Sequence, residues 1–220
     1  MKRFIESGFV VTLLFAAACS SRQSGSAGDQ PGGRGDDGAG AAGGAGGTVT
    51  AGGLGGAAWL TPPALPPALA VPAGAMIEAH THAVGSQIYT CTAGGDADAG
   101  ATTYAWTLKA PDARLYDADG AQVGTHGAGP SWTSGDGSVA NGVKVAQVDA
   151  PAAGAIPWLL LRVSSTSGAG VFSDVTFVQR LNTVGGVAPA TGCDSTTAAT
   201  DTPVGYSGDY YFYVGGAAGG

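Results

Sequence analysis

The chain has 220 residues, of which 40 are glycine, and a formal charge of −7 at pH 7 that comes from 16 acidic and 9 basic residues. Because the chain is acidic and no stretch concentrates lysine or arginine, nucleic acid is excluded as an expected partner. Only 11% of the residues are charged, as is typical of an exported chain rich in glycine, alanine and threonine.

An uncharged apolar stretch near the start of the chain predicts an export signal. Lys2 and Arg3 provide a short basic start, and Gly8–Ala18 then forms an uncharged, largely apolar run. This run has the length of a signal-peptide core and is too short to cross a bilayer as a mature helix. Small residues precede Cys19, as at the cleavage site of a bacterial lipoprotein, so residues 1–19 are predicted to be a lipoprotein signal peptide whose cysteine is acylated. The alternative is an ordinary signal peptide that ends near a cysteine.

The residue after the cysteine bears on where the protein is anchored. Ser20, and not an acidic residue, follows Cys19, which by similarity to other lipoproteins favours the outer membrane over the inner one. Acyl chains contribute about 0.8 kcal/mol for each buried methylene, so several chains give a durable attachment to the membrane. We therefore expect a lipid-anchored protein of the cell envelope, on the periplasmic or the outward-facing side.

Residues 20–70 have the composition of a tether. Fifteen of these 51 residues are glycine, and alanine, serine and proline make up most of the others. Such a chain cannot bury enough apolar surface to offset the backbone entropy that folding costs, so it is predicted to be a disordered linker. Gly38–Gly43 matches the pattern G-x-G-x-x-G, but neither a strand nor a helix pattern flanks it, so it does not indicate a dinucleotide site.

Residues 71–214 are predicted to form one folded domain, followed by a flexible tail at 215–220. Short runs rich in valine, isoleucine, threonine and aromatic residues alternate with glycine, proline, aspartate and serine, and no window keeps a helical period. This pattern predicts an all-β fold, either a single antiparallel β-sandwich or a small β-barrel. The predicted strands are Met76–His82, Gln87–Thr92, Thr103–Leu108, Ala113–Tyr116, Val123–His126, Val143–Val148, Trp158–Ser165, Val171–Leu181 and Asp209–Val214.

Two cysteines of the domain, Cys91 and Cys193, predict a disulfide. Once Cys19 is acylated, these two remain as an even pair in an oxidising compartment. A bridge would close a loop of about 100 residues and stabilise the fold by about 4–5 kcal/mol if the effect is one of chain entropy. The alternatives are two free thiols or a metal pair, and the wide separation without a C-x-x-C motif argues against the metal.

Three histidines form a candidate metal site. Residues two apart on a strand share a face, so Glu78, His80 and His82 are expected to project together. His126, the remaining histidine of the chain, would supply a third imidazole, and neutral imidazoles suit zinc or copper. The alternative is that this stretch is the polar outer face of an edge strand.

Aromatic residues offer a second candidate site, for a glycan. Aromatic side chains on an exposed β surface can stack on sugar rings, and they can equally pack in a core. Trp106 and Trp158 lie within apolar alternation and are expected in the core, whereas Trp132 is expected in a surface loop. We group Gln87 and Tyr89 with Trp132 as candidate ligand-binding residues.

The hydrolase motifs G-x-S-x-G, S-x-x-K and H-E-x-x-H do not occur in the sequence. Asp174, together with Arg180, is expected to form a structural ion pair or to serve as a turn partner. The leading hypothesis is therefore a non-catalytic binding or structural module that contacts a glycan or another envelope component. The alternative is a metal-dependent enzyme, or a metal-binding protein, that uses His80, His82 and His126.

Several stretches of the domain follow one another in an order that resembles a known family. They are Val84–Cys91 (VGSQIYTC), Ala110–Asp117 (APDARLYD), Gly124–Trp132 (GTHGAGPSW), Asp136–Ser138, Ala155–Leu161, Gly170–Gly186, Gly192–Asp194 and Asp209–Tyr213. Over about residues 71–214 the chain resembles the DUF3455 family, a domain of unknown function in exported bacterial and fungal proteins. The resemblance implies export and no particular chemistry. The family often has an aromatic residue after the histidine of its His-x-Ala-Gly-Pro motif, where this chain has Gly127.

Overall fold

The computed structural model of the chain describes residues 59–94 and 102–216. The predicted signal peptide with Cys19, the linker up to residue 58 and the last four residues of the tail lie outside the described residues, so those expectations stay predictions. Within the described ranges, no helix has the length and the apolar character that a membrane span requires.

In the described part of the chain, eight strands, each antiparallel to its neighbours, form one sheet. Each strand pairs with the next along the chain, and β8 also pairs with β1, so the order of hydrogen-bonded neighbours is closed. The expectation of a single antiparallel all-β domain is confirmed. The strands are β1 (Ala75–Gly94), β2 (Thr103–Tyr116), β3 (Gln122–Gly127), β4 (Ser131–Ser134), β5 (Val139–Val148), β6 (Trp158–Ser167), β7 (Val175–Gly185) and β8 (Asp201–Gly215), and a short 3-10 helix (Pro67–Leu69) precedes them.

Strands β1 and β2 are longer than expected, because each joins two of the predicted strands. β1 runs through Gly85 and β2 runs through Pro111, residues that usually separate elements. Gly85 lies opposite Ala113, and a Cβ at position 85 would stand 2.2 Å from the carbonyl oxygen of Asp112. The glycine therefore allows the two strands to approach closely and interrupts neither of them.

Two further differences from the predicted elements concern β4 and β8. The four residues of β4 lie where the sequence predicts a loop, because so short a strand shows too little alternation to be recognised. β8 begins at Asp201 and not at Asp209. Its first half contains Pro203, Gly205 and Gly208, residues that are typical of loops, so the sequence does not predict a strand there.

Apolar side chains form two buried clusters, one on each face of the closed sheet. The alternation along β8 separates them, since Tyr210 and Phe212 belong to one cluster and Tyr211 and Tyr213 to the other. The inner cluster comprises Ala79, Ala83, Ala113, Leu115, Trp132, Ala140, Ile156, Leu161, Phe172, Val175, Val178, Tyr206, Tyr210 and Phe212. The outer cluster comprises Leu69, Trp158, Leu160, Phe177, Leu181, Tyr211 and Tyr213.

The N-terminal segment, residues 59–71, covers the outer cluster. Leu69 is fully buried in that cluster, and Leu65 packs against it. The side-chain amide of Gln179 donates a hydrogen bond to the Leu69 carbonyl oxygen at 2.6 Å. The packed body therefore begins before Val71, inside the stretch whose composition predicts a tether, because two leucines among the prolines find apolar partners on the sheet.

Cys91 and Cys193 form the predicted disulfide, which joins β1 to the loop before β8 across a sequence separation of 102 residues. Trp106 lies opposite Cys91 on β2. It is partly exposed and lies outside both apolar clusters, and its Nε1 donates a hydrogen bond to the Thr191 carbonyl oxygen at 2.9 Å, so its expected place in the core is wrong. Trp158 belongs to the outer cluster, as expected for a core residue.

Candidate functional site

A cavity of about 430 Å³ lies inside the closed sheet. Every strand contributes at least one residue to its wall, and the volume is within the range of small-molecule sites in proteins. The wall consists of Gln87, Tyr89, Leu108, Lys109, Ala110, Pro111, His126, Gly129, Pro130, Trp132, Lys144, Gln147, Ile156, Pro157, Leu159, Leu161, Arg180 and Tyr210.

Three aromatic rings form one side of the cavity. The His126 imidazole stacks on the Trp132 indole, with ring centroids 4.9 Å apart and an interplanar angle of 10°. The Tyr210 ring is tilted against His126 and meets Trp132 edge to face. Trp132 also fills the space beside Gly142, where a Cβ would stand 2.9 Å from the indole Cζ3. This side of the cavity is therefore a firmly packed, flat aromatic surface.

His126 is held in the neutral form. The side chain is only 3% exposed, and its Nδ1 donates a hydrogen bond to the Ser131 carbonyl oxygen at 2.8 Å. Burial, together with a smaller effect of the positive charge of Arg180, lowers the pKa of His126 to about 4, and the Ser131 bond opposes this shift only in part. At neutral pH the imidazole therefore contributes polarity to the cavity and no charge.

Arg180 extends into the cavity from β7 and brings a permanent positive charge. Its Nε and Nη2 groups donate hydrogen bonds to the Pro157 carbonyl oxygen at 3.2 and 2.8 Å. Within the described ranges, Lys109 is the one lysine or arginine in an ion pair, so Asp174 and Arg180 do not pair, and Asp174 instead lies in the turn before β7. Its charge acts on the Tyr210 hydroxyl, whose pKa is nevertheless raised because burial is the larger effect.

All charged residues of the cavity wall are cations. Besides Arg180, these are Lys109, which pairs with Asp201 at 2.5 Å, and Lys144, whose Nζ donates to the Gln147 side-chain oxygen at 2.7 Å. Both lysines are exposed and lie at the rim. No aspartate or glutamate is found among the residues that line the cavity. An acidic chain therefore encloses a site of opposite charge.

Two buried N–H groups of the cavity wall lack a hydrogen-bond partner within the described protein. They are Nε2 of Gln87 and Nε1 of Trp132, and each of these residues is 1% exposed. A buried donor without an acceptor costs about 1–3 kcal/mol, so such groups are uncommon in native structures. They lie in the same wall as the Arg180 guanidinium, which forms no ion pair with a described residue.

The cavity brings together the three residues grouped as ligand-binding candidates. Gln87, Tyr89 and Trp132 all line it, and the Tyr89 hydroxyl donates to the Gly186 carbonyl oxygen at 2.7 Å. The expected setting is wrong for Trp132, which lies on β4 inside the sheet and not in a surface loop. An indole that is 1% exposed cannot act as a surface platform for a sugar ring.

The three histidines of the candidate metal site do not converge. His126 contacts Tyr210 and His80 stacks on Tyr211, and consecutive residues of a strand point to opposite faces. His80 and His82 are therefore outside the sheet, and His126 is inside it. Glu78 lies at a register shift of β1, between Ile77 and Ala79, which breaks the expected alignment. Among the described residues, no group of three or more His, Cys, Asp or Glu side chains is arranged to hold a metal.

His80 and His82 instead form part of a polar network around Asp209. Nδ1 of His82 and Nδ2 of Asn182 each contact the Asp209 carboxylate at 2.8 Å, and Nε2 of His80 is 3.7 Å away. Burial acts to raise the pKa of Asp209, but the polar contacts with His80, Asn182 and His82 outweigh it and hold the pKa below its usual value. The histidine pair thus supports a carboxylate on the outer face.

Sequence reasoning missed Arg180 as a cavity residue. The signal was present in the alternation along β7, where Val178 belongs to the inner cluster and Arg180, two residues later, shares its face. It was not recognised because charged residues on a strand are generally placed towards solvent.

The fold and the cavity define a closed antiparallel β-sheet protein with an interior site. The chain belongs to the family described as a protein of unknown function, DUF3455, whose pattern matches residues 72–214. No curated protein and no solved structure matches the chain.

Proposed function

We propose that this protein is a lipid-anchored, non-catalytic binding module of the cell envelope that holds a small organic molecule in the cavity between its strands. The observation that carries the proposal is the interior cavity of about 430 Å³, whose wall keeps two buried N–H groups without partners. Sites for small molecules are concave and mostly apolar, with a few polar groups that fix the orientation of the ligand. This cavity has that composition.

The shape of the wall favours a ligand with a flat apolar part. The stacked rings of His126 and Trp132 offer a planar surface, and Ile156, Leu159 and Leu161 supply aliphatic contacts. A compact envelope component matches this enclosed site better than an extended glycan does, because the aromatic rings are buried and not displayed on the surface.

The chemistry of the wall favours binding over catalysis. The lining residues include no serine, cysteine, aspartate or glutamate, the side chains that most often act as nucleophiles or as paired acid and base. Nδ1 of His126 is engaged by Ser131, and the Tyr89 hydroxyl is engaged by Gly186. These groups shape the site and are not arranged around a nucleophile.

The proposed location rests on two features of the cysteines, the disulfide of the folded domain and the predicted acylation of Cys19. The Cys91–Cys193 disulfide supports an oxidising compartment, as expected after export. Cys19 would carry the anchor. Replacement by Cys19→Ser is expected to abolish incorporation of a labelled fatty acid and to release the protein from the membrane fraction. Unchanged labelling of the variant would contradict the anchor and leave the binding proposal intact.

Binding in the cavity can be tested with an uncharged fluorescent probe, N-phenyl-1-naphthylamine, and the full chain in detergent below its micellar concentration. We expect saturable binding that Ala110→Trp abolishes, because Ala110 lines the cavity. Ala105→Trp is the matched control, since Ala105 lies on the same strand, is exposed and lines no part of the cavity. Probe binding that is absent, or equally reduced in both variants, would contradict the proposal.

A further inference from the structure

Given the proposed binding function, we infer that the ligand is an organic acid, an apolar molecule with one carboxylate group that binds to Arg180. The inference rests on the charge and the hydrogen-bonding capacity of the cavity wall, which is independent of the cavity's size.

The first step is the sign of the charge. The whole chain carries −7, yet the charged residues that line the cavity are Lys109, Lys144 and Arg180. A charge inside a protein is costly to remove from water unless an opposite charge or several hydrogen bonds compensate it. Arg180 has the Pro157 carbonyl oxygen as an acceptor, but it forms no ion pair with any described residue. A ligand carboxylate would supply the missing anion.

The second step is the number of charges. Lys109 is neutralised by Asp201 at the rim, and Lys144 is exposed, so water and salt screen its charge. His126 is uncharged at neutral pH. Among the described residues that line the cavity, the partly buried Arg180 is then the one cation that is neither in an ion pair nor fully exposed to solvent. A monoanion balances it, whereas a dianion would bring an unpaired negative charge into an apolar cavity.

The third step is the geometry of hydrogen bonding. A guanidinium has five N–H donors in a planar fork that suits the two oxygens of a carboxylate. The Pro157 carbonyl oxygen engages only Nε and Nη2. Gln87 and Trp132, in the same wall, each keep a buried N–H group without an acceptor. These two N–H groups add to the donors of the Arg180 guanidinium, and donors of this kind are what a bound carboxylate accepts from.

The test uses three acids, namely benzoate, naphthalene-2-carboxylate and octanoate, and compares each with the amide of the same shape. Binding is measured by calorimetric titration of the full chain. We expect at least one acid to bind at least tenfold more tightly than its amide. Equal binding of acid and amide would overturn this inference and leave the proposed function standing. Binding of neither member in any pair would contradict the proposed function, and the inference with it.

Two variants then locate the charge that is responsible. Arg180→Gln is expected to weaken binding of the acid at least tenfold and of its amide less than threefold, and the retained amide binding shows that the variant is folded. Lys144→Gln removes the same charge from the rim and is expected to change acid binding less than threefold. An equal loss in both variants would overturn the assignment to Arg180. If Arg180→Gln does not fold, the acid–amide comparison on the unaltered chain still decides the inference.

Discussion

Two stacks of aromatic rings, each centred on a histidine, lie on opposite faces of this sheet. The inner stack joins His126 to Trp132 and Tyr210, and the outer stack places His80 between Trp59 and Tyr211, with ring centroids about 4 Å apart. The chain itself completes the outer stack, because Trp59 of the N-terminal segment lies over the imidazole and its Nε1 donates to the His80 carbonyl oxygen at 3.1 Å. The inner stack borders a cavity.

The two faces also differ in whether the protein itself supplies an anion to the hydrogen-bond donors. On the outer face, the Asp209 carboxylate accepts from His82 and Asn182, so these two donors have an anion of the protein's own. Nε2 of His80 and Nε1 of Trp158 have no hydrogen-bond partner among the described residues. On the inner face, Arg180 and the unpartnered N–H groups of Gln87 and Trp132 have none. On the outer face, the protein supplies both the covering ring, Trp59, and the negative charge, Asp209. On the inner face, a ligand could supply an apolar ring and a negative charge.

The largest effect on the free energy of unfolding is expected from removal of the disulfide, which constrains the domain as a whole. The double variant Cys91→Ala/Cys193→Ala removes a bridge with a sequence separation of 102 residues, and we expect the free energy of unfolding to fall by about 4 kcal/mol. Denaturant unfolding followed by tryptophan fluorescence measures the loss. A reducing agent should destabilise the unaltered protein by a similar amount and the double variant not at all. A loss below about 1 kcal/mol would contradict a stapling role for the bridge.

Next in size is the removal of the inner indole. Trp132→Ala takes a fully buried ring from between His126 and Gly142, and we expect a loss of about 3 kcal/mol in the free energy of unfolding. Trp106→Ala is the matched control, because Trp106 is partly exposed and lies outside both clusters, and its loss should be about 1 kcal/mol. Equal losses in denaturant unfolding would show that Trp132 is not a packing element of the inner face.

The sequence predicts the fold class and the disulfide because both leave local or countable signals. Alternation of apolar and polar residues identifies most strands. If Cys19 is acylated as predicted, each of the two other cysteines has one possible partner. The joining of strands through Gly85 and Pro111 is not predictable in this way, since it depends on how closely a neighbouring strand approaches. The closure of the sheet by β8 against β1 is likewise a long-range contact.

Residue type groups Gln87, Tyr89 and Trp132, which share the cavity wall, and their role in binding stays a prediction. Residue type did not reveal that Arg180 joins them or how the wall is arranged. Alternation predicts that His80 and His82 share a face of the sheet. It does not predict whether His126 lies on that face, because this depends on the registers of β1 against β8 and of β3 against β4. The metal-site hypothesis failed at this step.

The pH dependence of stability should distinguish the two histidine stacks. The pKa of His126 is about 4 in the folded protein and 6.5 in the unfolded chain, so between these values the unfolded chain binds more protons. Stability is therefore full above pH 6.5 and falls as the pH decreases towards 4, by about 2–3 kcal/mol. Trp132 and Tyr210 pack against the imidazole, Arg180 acts on it through its positive charge, and none of the three offers it a carboxylate.

The variant His126→Gln isolates this contribution. It keeps a side-chain donor for the Ser131 carbonyl oxygen but does not titrate, so its stability should depend less on pH between 6.5 and 4. Subtracting its denaturant unfolding profile from that of the unaltered protein removes the contributions of the other titratable groups. Identical profiles would show that His126 titrates normally and is not enclosed as the structure describes.

The smallest effect is expected at the outer stack, and it separates the two faces most cleanly. Trp59→Ala removes the ring that covers His80, and we expect a loss of about 1 kcal/mol in the free energy of unfolding, since the indole is only half-buried. Hydrogen exchange should become faster in the N-terminal segment and remain unchanged in β3 and β4. Affinity for the cavity probe should stay within twofold, because the outer stack and the cavity are on opposite faces of the sheet. A tenfold loss of probe affinity in Trp59→Ala would show instead that the N-terminal segment controls the cavity through β8, whose consecutive residues Tyr210 and Tyr211 belong to the two stacks.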